Sequence, residues 1–186
     1  AVGSQARAEG RSSVALGVAA YSTGNTSLAI GRQSAATADF AQALGNVSSA
    51  TGQGSLAVGH SALASGKRGI AIGSTDFENS GDAGTIAGQN NVAYRATNQT
   101  KAEGQDSIAF GSGAQAIGNQ SIAQGNLAEA RGSQSIAQGT YAKATGNFSS
   151  AQGYFAEATE SNSIAYGRDA KALGENAIAL GRGAIA

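Results

Sequence analysis

The 186-residue chain sets 12 Lys and Arg against 12 Asp and Glu, so no net field draws it to nucleic acid or to an anionic membrane surface. Without cysteine it has neither a disulfide framework nor a thiolate metal site, and no run reaches the roughly 18 apolar residues that a membrane-spanning helix needs. The first residues lack the basic and apolar regions of a signal peptide, and the chain begins (AVG) and ends (GAIA) mid-phrase, as a piece of a longer array would.

From the N-terminus onward one phrase returns about every fourteen residues, a short apolar run closed by glycine. It reads SVALG at 13–17, SLAIG at 27–31, SLAVG at 55–59 and GIAIG at 69–73. After an interruption it resumes as SIAFG at 107–111, SIAQG at 121–125 and 135–139, SSAQG at 149–153, SIAYG at 163–167 and AIALG at 177–181. A more polar phrase alternates with it: ARAEG at 6–10, ALASG at 62–66, AQAIG at 114–118, AEARG at 128–132 and AKATG at 142–146. Fixed self-similarity at this period predicts an all-β parallel solenoid. Both phrases alternate at period two between Gly, Ser and Asn turn signals, so one rung is two short strands and two turns. A helix is excluded because glycine recurs about every seven residues, each costing about 1 kcal/mol in a helix interior. Proline is absent, as stacked strands need every backbone donor.

Reading each slot down the stack assigns the faces. The middle slot of the apolar strand is alanine throughout, from Ala15 and Ala29 through Ala93 to Ala179, although alanine is a poor strand former. The requirement is therefore steric, and the alanines are expected to meet in a thin interior. The opposite face of the polar strand carries Arg7, Glu9, Glu129, Lys143, Glu157 and Lys171, a charge ladder on a wetted surface. The opposite face of the apolar strand would then be a long exposed apolar stripe that needs a partner, and a partner of identical rise is another copy. Its expected interface residues are Leu28, Ile30, Ile70, Ile72, Ile108, Phe110, Ile122, Gln124, Ile136, Gln138, Gln152, Ile164, Tyr166, Ile178 and Leu180. The competing arrangement turns Ile and Leu inward and alanine outward. Gln124, Gln138 and Gln152, on three consecutive rungs, argue against it, because glutamine in a thin core would leave amide groups unpaired. In two rungs a polar residue, Gln42 or Ser150, replaces the apolar one and a phenylalanine, Phe40 or Phe148, stands two positions earlier, a local swap of where bulk sits.

The rhythm breaks between Gly73 and Gly111, where NVAYR at 91–95 reads as an aberrant rung ending in Arg95. The segment 74–90 is polar and partly acidic and is expected to protrude as a loop inserted into a single unit spanning 1–186. Asp76, Phe77, Glu78, Asn79 and Asp82 make it a candidate ligand-binding loop. Its acidic spacing does not match an EF-hand, and no metal site is assigned. GSGAQAIG at 111–118 is a turn between rungs with no helix to follow, so it is not read as a phosphate loop. His60 has no second His, no Cys and no evident acid partner and is read as solvated. Asn25, Asn46, Asn98, Asn119 and Asn147 sit in glycosylation sequons that arise because Asn and Ser are the turn residues. No catalytic residue and no cofactor is expected. A six-residue period and an interfacial His would mark a β-helix acyltransferase, and a regular Thr array would mark an ice-binding solenoid; neither pattern is present.

SLAIGRQS at 27–34, GNQSIAQG at 118–125 and ESNSIAYG at 160–167 resemble the head repeats of trimeric autotransporter adhesins, the YadA-like family. The resemblance implies a left-handed parallel β-roll, three chains about one axis, and a head carried on a stalk and a C-terminal outer-membrane anchor, through which alone the protein would contact a membrane. It implies exposure at the bacterial surface and adhesion to host extracellular matrix such as collagen, fibronectin or laminin, to host-cell receptors, or to other bacteria. In such heads a motif of the form NSVAIGxxS is associated with collagen. Here Ser27, Leu28, Ala29, Ile30, Gly31 and Ser34 follow it most closely, with Thr26 and Leu28 departing from it. The alternative function is a structural spacer with no ligand of its own.

Overall fold

The computed structural model describes residues 1–75 and 98–186. Over these the chain is an all-β solenoid of two parallel sheets, each of eleven strands. Three-residue strands, from Val14–Leu16 to Ile178–Leu180, form one sheet, and two-residue strands, from Arg7–Ala8 to Lys171–Ala172, form the other. Each strand bonds to its equivalents above and below. Leu28 N–H donates to the Ala41 carbonyl at 2.9 Å, while Gly31 N–H donates back to Leu16 at 2.8 Å.

The interior is made of alanine. Ala29, Ala43, Ala57, Ala71, Ala109 and their successors lie in direct register on one side. The pairs such as Ala128 and Ala130 face them from the other sheet, all fully buried. The largest fully buried side chains among the described residues are Thr100 and a set of serines. An alanine methyl contributes only about 0.8 kcal/mol when buried, so the backbone ladder carries much of the cohesion of one chain. The larger apolar groups are on the outside. Ile164, Phe110 and Tyr166 are 39%, 52% and 58% exposed, as the outward-stripe arrangement requires.

Turn chemistry is equally periodic. Every seventh residue sits in the left-handed region, and in 19 of these positions among the described residues it is not glycine: Thr26 (φ 54°), Phe40 (61°), Arg68 (54°) and Tyr141 (59°) are examples. The conformation is held because the same residue's N–H bonds to the rung before it, Thr26 to Arg11 at 2.7 Å and Phe40 to Asn25 at 2.9 Å. Glycine is needed elsewhere, at the end of the three-residue strand. At Gly31 (φ 128°) an added Cβ would lie 2.4 Å from the carbonyl oxygen of Gly45 on the next rung. At five rungs among the described residues the serine opening that strand turns inward and donates to the preceding turn carbonyl, for example Ser121 to Gly118 and Ser149 to Gly146, each at 2.6 Å.

One expectation is corrected. Ile70–Ile72 pairs directly with Ile108–Phe110, and Ala71 is the register partner of Ala109, so Ala93 does not stand between them in the alanine column. Likewise Leu63–Ala64 pairs with Lys101–Ala102. Neighbouring rungs there are 38 residues apart instead of the usual 14, which gathers the extra chain into one interval between Thr75 and Thr100 instead of two insertions around an NVAYR rung. The sequence suggested otherwise because V-A-Y alternates as a strand does, and alternation carries no register.

Candidate functional site

The outward face of the three-residue strands is the first candidate surface. Its first slot runs Leu28, Gln42, Leu56, Ile70, Ile108, Ile122, Ile136, Ser150, Ile164 and Ile178 in consecutive register. The third slot of the same strands runs Ile30, Leu44, Val58, Ile72, Phe110, Gln124, Gln138, Gln152, Tyr166 and Leu180. All the expected interface residues therefore lie in two adjacent columns on one face. Within the glutamine block, Gln138 Nε2 donates to Gln124 Oε1 at 3.0 Å along the stack, and Gln152 Nε2 turns to Ser150 Oγ at 3.2 Å. Phe40 and Phe148, beside the polar Gln42 and Ser150, occupy left-handed turn positions and are strongly exposed, so the displaced bulk sits at the corner of the rung.

The candidate adhesive repeat divides between inside and outside. Ser27 is buried, donating to Gly24 at 2.6 Å and sharing a hydrogen bond with Ser22; Ser34 is buried and donates to Gly31 at 2.9 Å. Ala29 is in the core, and Gly31 is roofed by the next rung. Only Leu28 and Ile30 of the motif present side chains outward, with Arg32 and Gln33 exposed in the turn beyond. A motif that reads as a polar recognition signal is, in its serines and glycine, the chemistry of one rung.

The candidate loop residues Asp76, Phe77, Glu78, Asn79 and Asp82, with Arg95, lie outside the described residues. The edges of that interval are tied together. Arg68 Nε and Nη2 donate to Asp106 Oδ1 and Oδ2 at 2.5 and 2.7 Å, a bidentate pair joining adjacent rungs across it. The hydrogen bond from Arg68 holds the Asp106 carboxyl below its ordinary pKa. Thr100, in a slot that is alanine in the following rungs, donates to Gly111 at 2.8 Å, and Ser112 Oγ donates to Ser74 at 2.9 Å. His60 is partly buried, not simply solvated; its Nδ1 lies 3.0 Å from Ser61 Oγ, and desolvation lowers its pKa.

The polar face carries its charges as opposite pairs. Lys171 Nζ meets Glu157 Oε2 on the neighbouring rung at 3.5 Å, whereas Glu129 pairs with Arg131 of its own rung, so the ladder is only partly realised between rungs. Asn119 and Asn147 accept from the backbone N–H of Gln105 and Ser133 one rung back, each at 2.9 Å, which gives these sequon asparagines a structural task. The sequence reading passed over one feature of this surface. Tyr141, Tyr154 and Phe155 cluster at a single corner, with Arg168 over the Tyr154 ring at 5.5 Å. The spacing of Tyr141 and Phe155, one repeat apart in a turn slot, was the signal available. Among the described residues no three His, Asp or Glu gather as a metal site, and no helix is long and apolar enough to cross a membrane.

A family model described as YadA head domain repeat (2 copies) matches residues 1–20, 22–48, 50–75, 102–128, 130–156, 144–170 and 158–184. No curated protein matches the chain.

Proposed function

Because the chain belongs to the YadA head family, an adhesin family, we propose that it is the head of a bacterial surface fibre, in which three copies stand around one axis and attach the cell to its surroundings. The observation that carries this reading is the division of bulk: alanine inside, and mainly Ile, Leu, Val, Phe and Tyr outside in two columns interrupted by Gln42, Ser150 and the Gln124, Gln138 and Gln152 block. An apolar strip of this length is not left to water in a monomer, and an identical copy matches its rise rung for rung. In the trimer, Leu28, Ile30, Ile70, Ile72, Ile108, Phe110, Ile122, Ile136, Ile164, Tyr166, Ile178 and Leu180 pack at the shared interface, and Gln124, Gln138 and Gln152 supply a polar stretch within it.

The partners are a host extracellular-matrix protein, a host-cell receptor or other bacterial cells. The place of action is the outer face of the outer membrane, reached through an anchor. Each outer site, weak alone, is presented three times on a stiff rod, so avidity supplies attachment without a deep pocket. The loop containing Asp76, Phe77, Glu78, Asn79 and Asp82 is the first candidate contact and the Ser27 to Ser34 repeat the second, through Leu28 and Ile30 with their flanking turn. Binding of the chain to immobilised collagen, fibronectin, laminin and whole bacterial cells tests this: saturable binding that drops when the oligomer is broken supports it, and equal binding by monomer and trimer removes the avidity mechanism.

A spacer with no ligand of its own is the second reading. What favours it is the inward commitment of Ser27 and Ser34, which leaves the repeat itself few polar groups to present. Replacing 76–99 by a short turn separates the two readings. The spacer predicts unchanged attachment.

A further inference from the structure

We propose that the aromatic corner at Tyr141 and Phe155 is a binding site for a neutral saccharide ring. Tyr141 and Phe155 hold the same left-handed turn position on successive rungs (φ 59° and 53°) and stack nearly parallel, 3° between planes and 4.7 Å between centroids. That distance is close to the spacing of paired strands, so the rings are set by the solenoid itself. Tyr154 lies 4.5 Å from Phe155 and 6.4 Å from Tyr141, perpendicular to both rings. These lengths put it at close to a right angle from the stacking line, against the edge of Phe155 and not over its second face. The next residue in this turn column is Asp169, short and carboxylate-bearing, so the stack stops at Phe155 with one ring face toward that rung. A groove of about 280 Å³ opens there, lined by Tyr141, Phe155, Lys143, Glu157, Asp169 and Lys171 over the buried Ala156.

The lining selects the ligand class. Its carboxylates are already paired, Glu157 with Lys171 at 3.5 Å and Asp169 with the adjoining Arg168 at 3.2 Å, so a charged ligand must compete with an ion pair in place, whereas a neutral one can share the oxygens and ammonium groups as hydrogen-bond partners. A purely apolar ligand would strip water from the charged rim without replacing its hydrogen bonds. A neutral pyranose satisfies both parts: its C–H face lies flat on the Phe155 ring, and its hydroxyls donate to Asp169 and Glu157 and accept from Lys143 and Lys171. The volume falls just below the roughly 300 to 1,000 Å³ of drug-sized pockets, which suits one ring at the end or branch of a glycan. The site lies on the polar-strand side, apart from the apolar columns, and would be repeated in each copy of an oligomer. It names a ligand class for the adhesion reading and rests on that reading only for its biological use.

Saturation-transfer difference NMR on the whole chain tests it, with glucose, galactose, mannose, N-acetylglucosamine and N-acetylgalactosamine as neutral probes and arginine amide and sialic acid as charged ones. The expected result is transfer to the ring protons of at least one neutral sugar, lost in Phe155→Ala and kept in Phe148→Ala, which removes an exposed ring from an equivalent turn conformation (φ 57°) at another corner. Unchanged circular dichroism of both variants shows that the fold survives. Absence of transfer to every neutral sugar, preference for either charged probe, or transfer that persists in Phe155→Ala overturns the proposal. Sugar binding by a chain that ignores matrix proteins would remove the matrix reading alone. Matrix binding without sugar binding would remove this inference alone.

Discussion

Gly139→Ala and Gly54→Ala form a matched pair, since both glycines have positive φ but only one supports the next rung. At Gly139 (φ 128°) the added Cβ would lie 2.5 Å from the Gly153 carbonyl oxygen and 2.8 Å from its carbon. Holding a non-glycine residue in a sparsely populated backbone region costs about 1–3 kcal/mol. Relieving the clash means parting two rungs where Gly153 N–H bonds Gln138 and Ile136 N–H bonds Ser149, each at 2.9 Å and each worth about 0.5–1.5 kcal/mol net. The expected loss is about 2–6 kcal/mol. Gly54 (φ 66°) occupies the turn slot that holds Phe40 and Arg68 in the flanking rungs, and its Cβ would meet nothing nearer than Arg68 Cγ at 3.7 Å. There the cost of the left-handed conformation is partly offset by a stiffer unfolded chain, leaving a net change of about 1 kcal/mol or less. Urea unfolding followed by circular dichroism measures both. Equal midpoints for the two variants, or a wild-type midpoint for Gly139→Ala, would refute the argument that rung stacking makes this glycine obligatory.

The serine column gives a second contrast. Ser135→Ala removes a buried hydroxyl that donates to Gly132 at 2.7 Å and should cost about 1 kcal/mol, while Ser107→Ala removes a buried hydroxyl with no hydrogen-bond partner among the described residues and should be neutral or stabilising in the same assay. Asp106 has a folded pKa below its unfolded value, so its stabilisation is present above the unfolded pKa and is lost as pH falls through the folded one. Protection factors of amides next to 76–99, corrected for the intrinsic slowing of exchange in acid, should therefore fall as the pH is lowered, and Asp106→Asn should show the reduced protection already at neutral pH with its acid dependence flattened. Ile164→Glu on the outward stripe should leave the circular dichroism of the chain intact and lower its assembled mass. Unchanged mass would remove Ile164 from the interface.

Much of the fold was legible because a repeat reports each slot many times over. Alanine at the centre of every apolar strand is an unlikely choice for strand propensity and so pointed to a steric limit, and the outward placement of Ile164 or Tyr166 followed. The turn slot was not legible. Phe40, Val47 and Arg68 sit in the left-handed region that intrinsic preference reserves for glycine and asparagine, because ladder bonds from adjacent rungs override that preference. Serine was read as a separator, yet its hydroxyl is small enough to enter the alanine core and satisfy a turn carbonyl. The Ala93 rung was misplaced because register depends on which strands pair, and a strand-like tripeptide inside an insertion has the same local pattern as a true rung. The aromatic corner was missed because Tyr141 and Phe155 fall in a slot otherwise occupied by residues as different as Gln5, Ala19 and Asp169.

Sedimentation equilibrium of the chain over a wide concentration range tests the central claim, that the outward Ile, Leu and Gln columns are an interface between copies. The account predicts a mass three times that of the 18.2 kDa chain, persisting on dilution. A soluble monomer of 18.2 kDa at all concentrations would show that this stripe is tolerated in water and would contradict it.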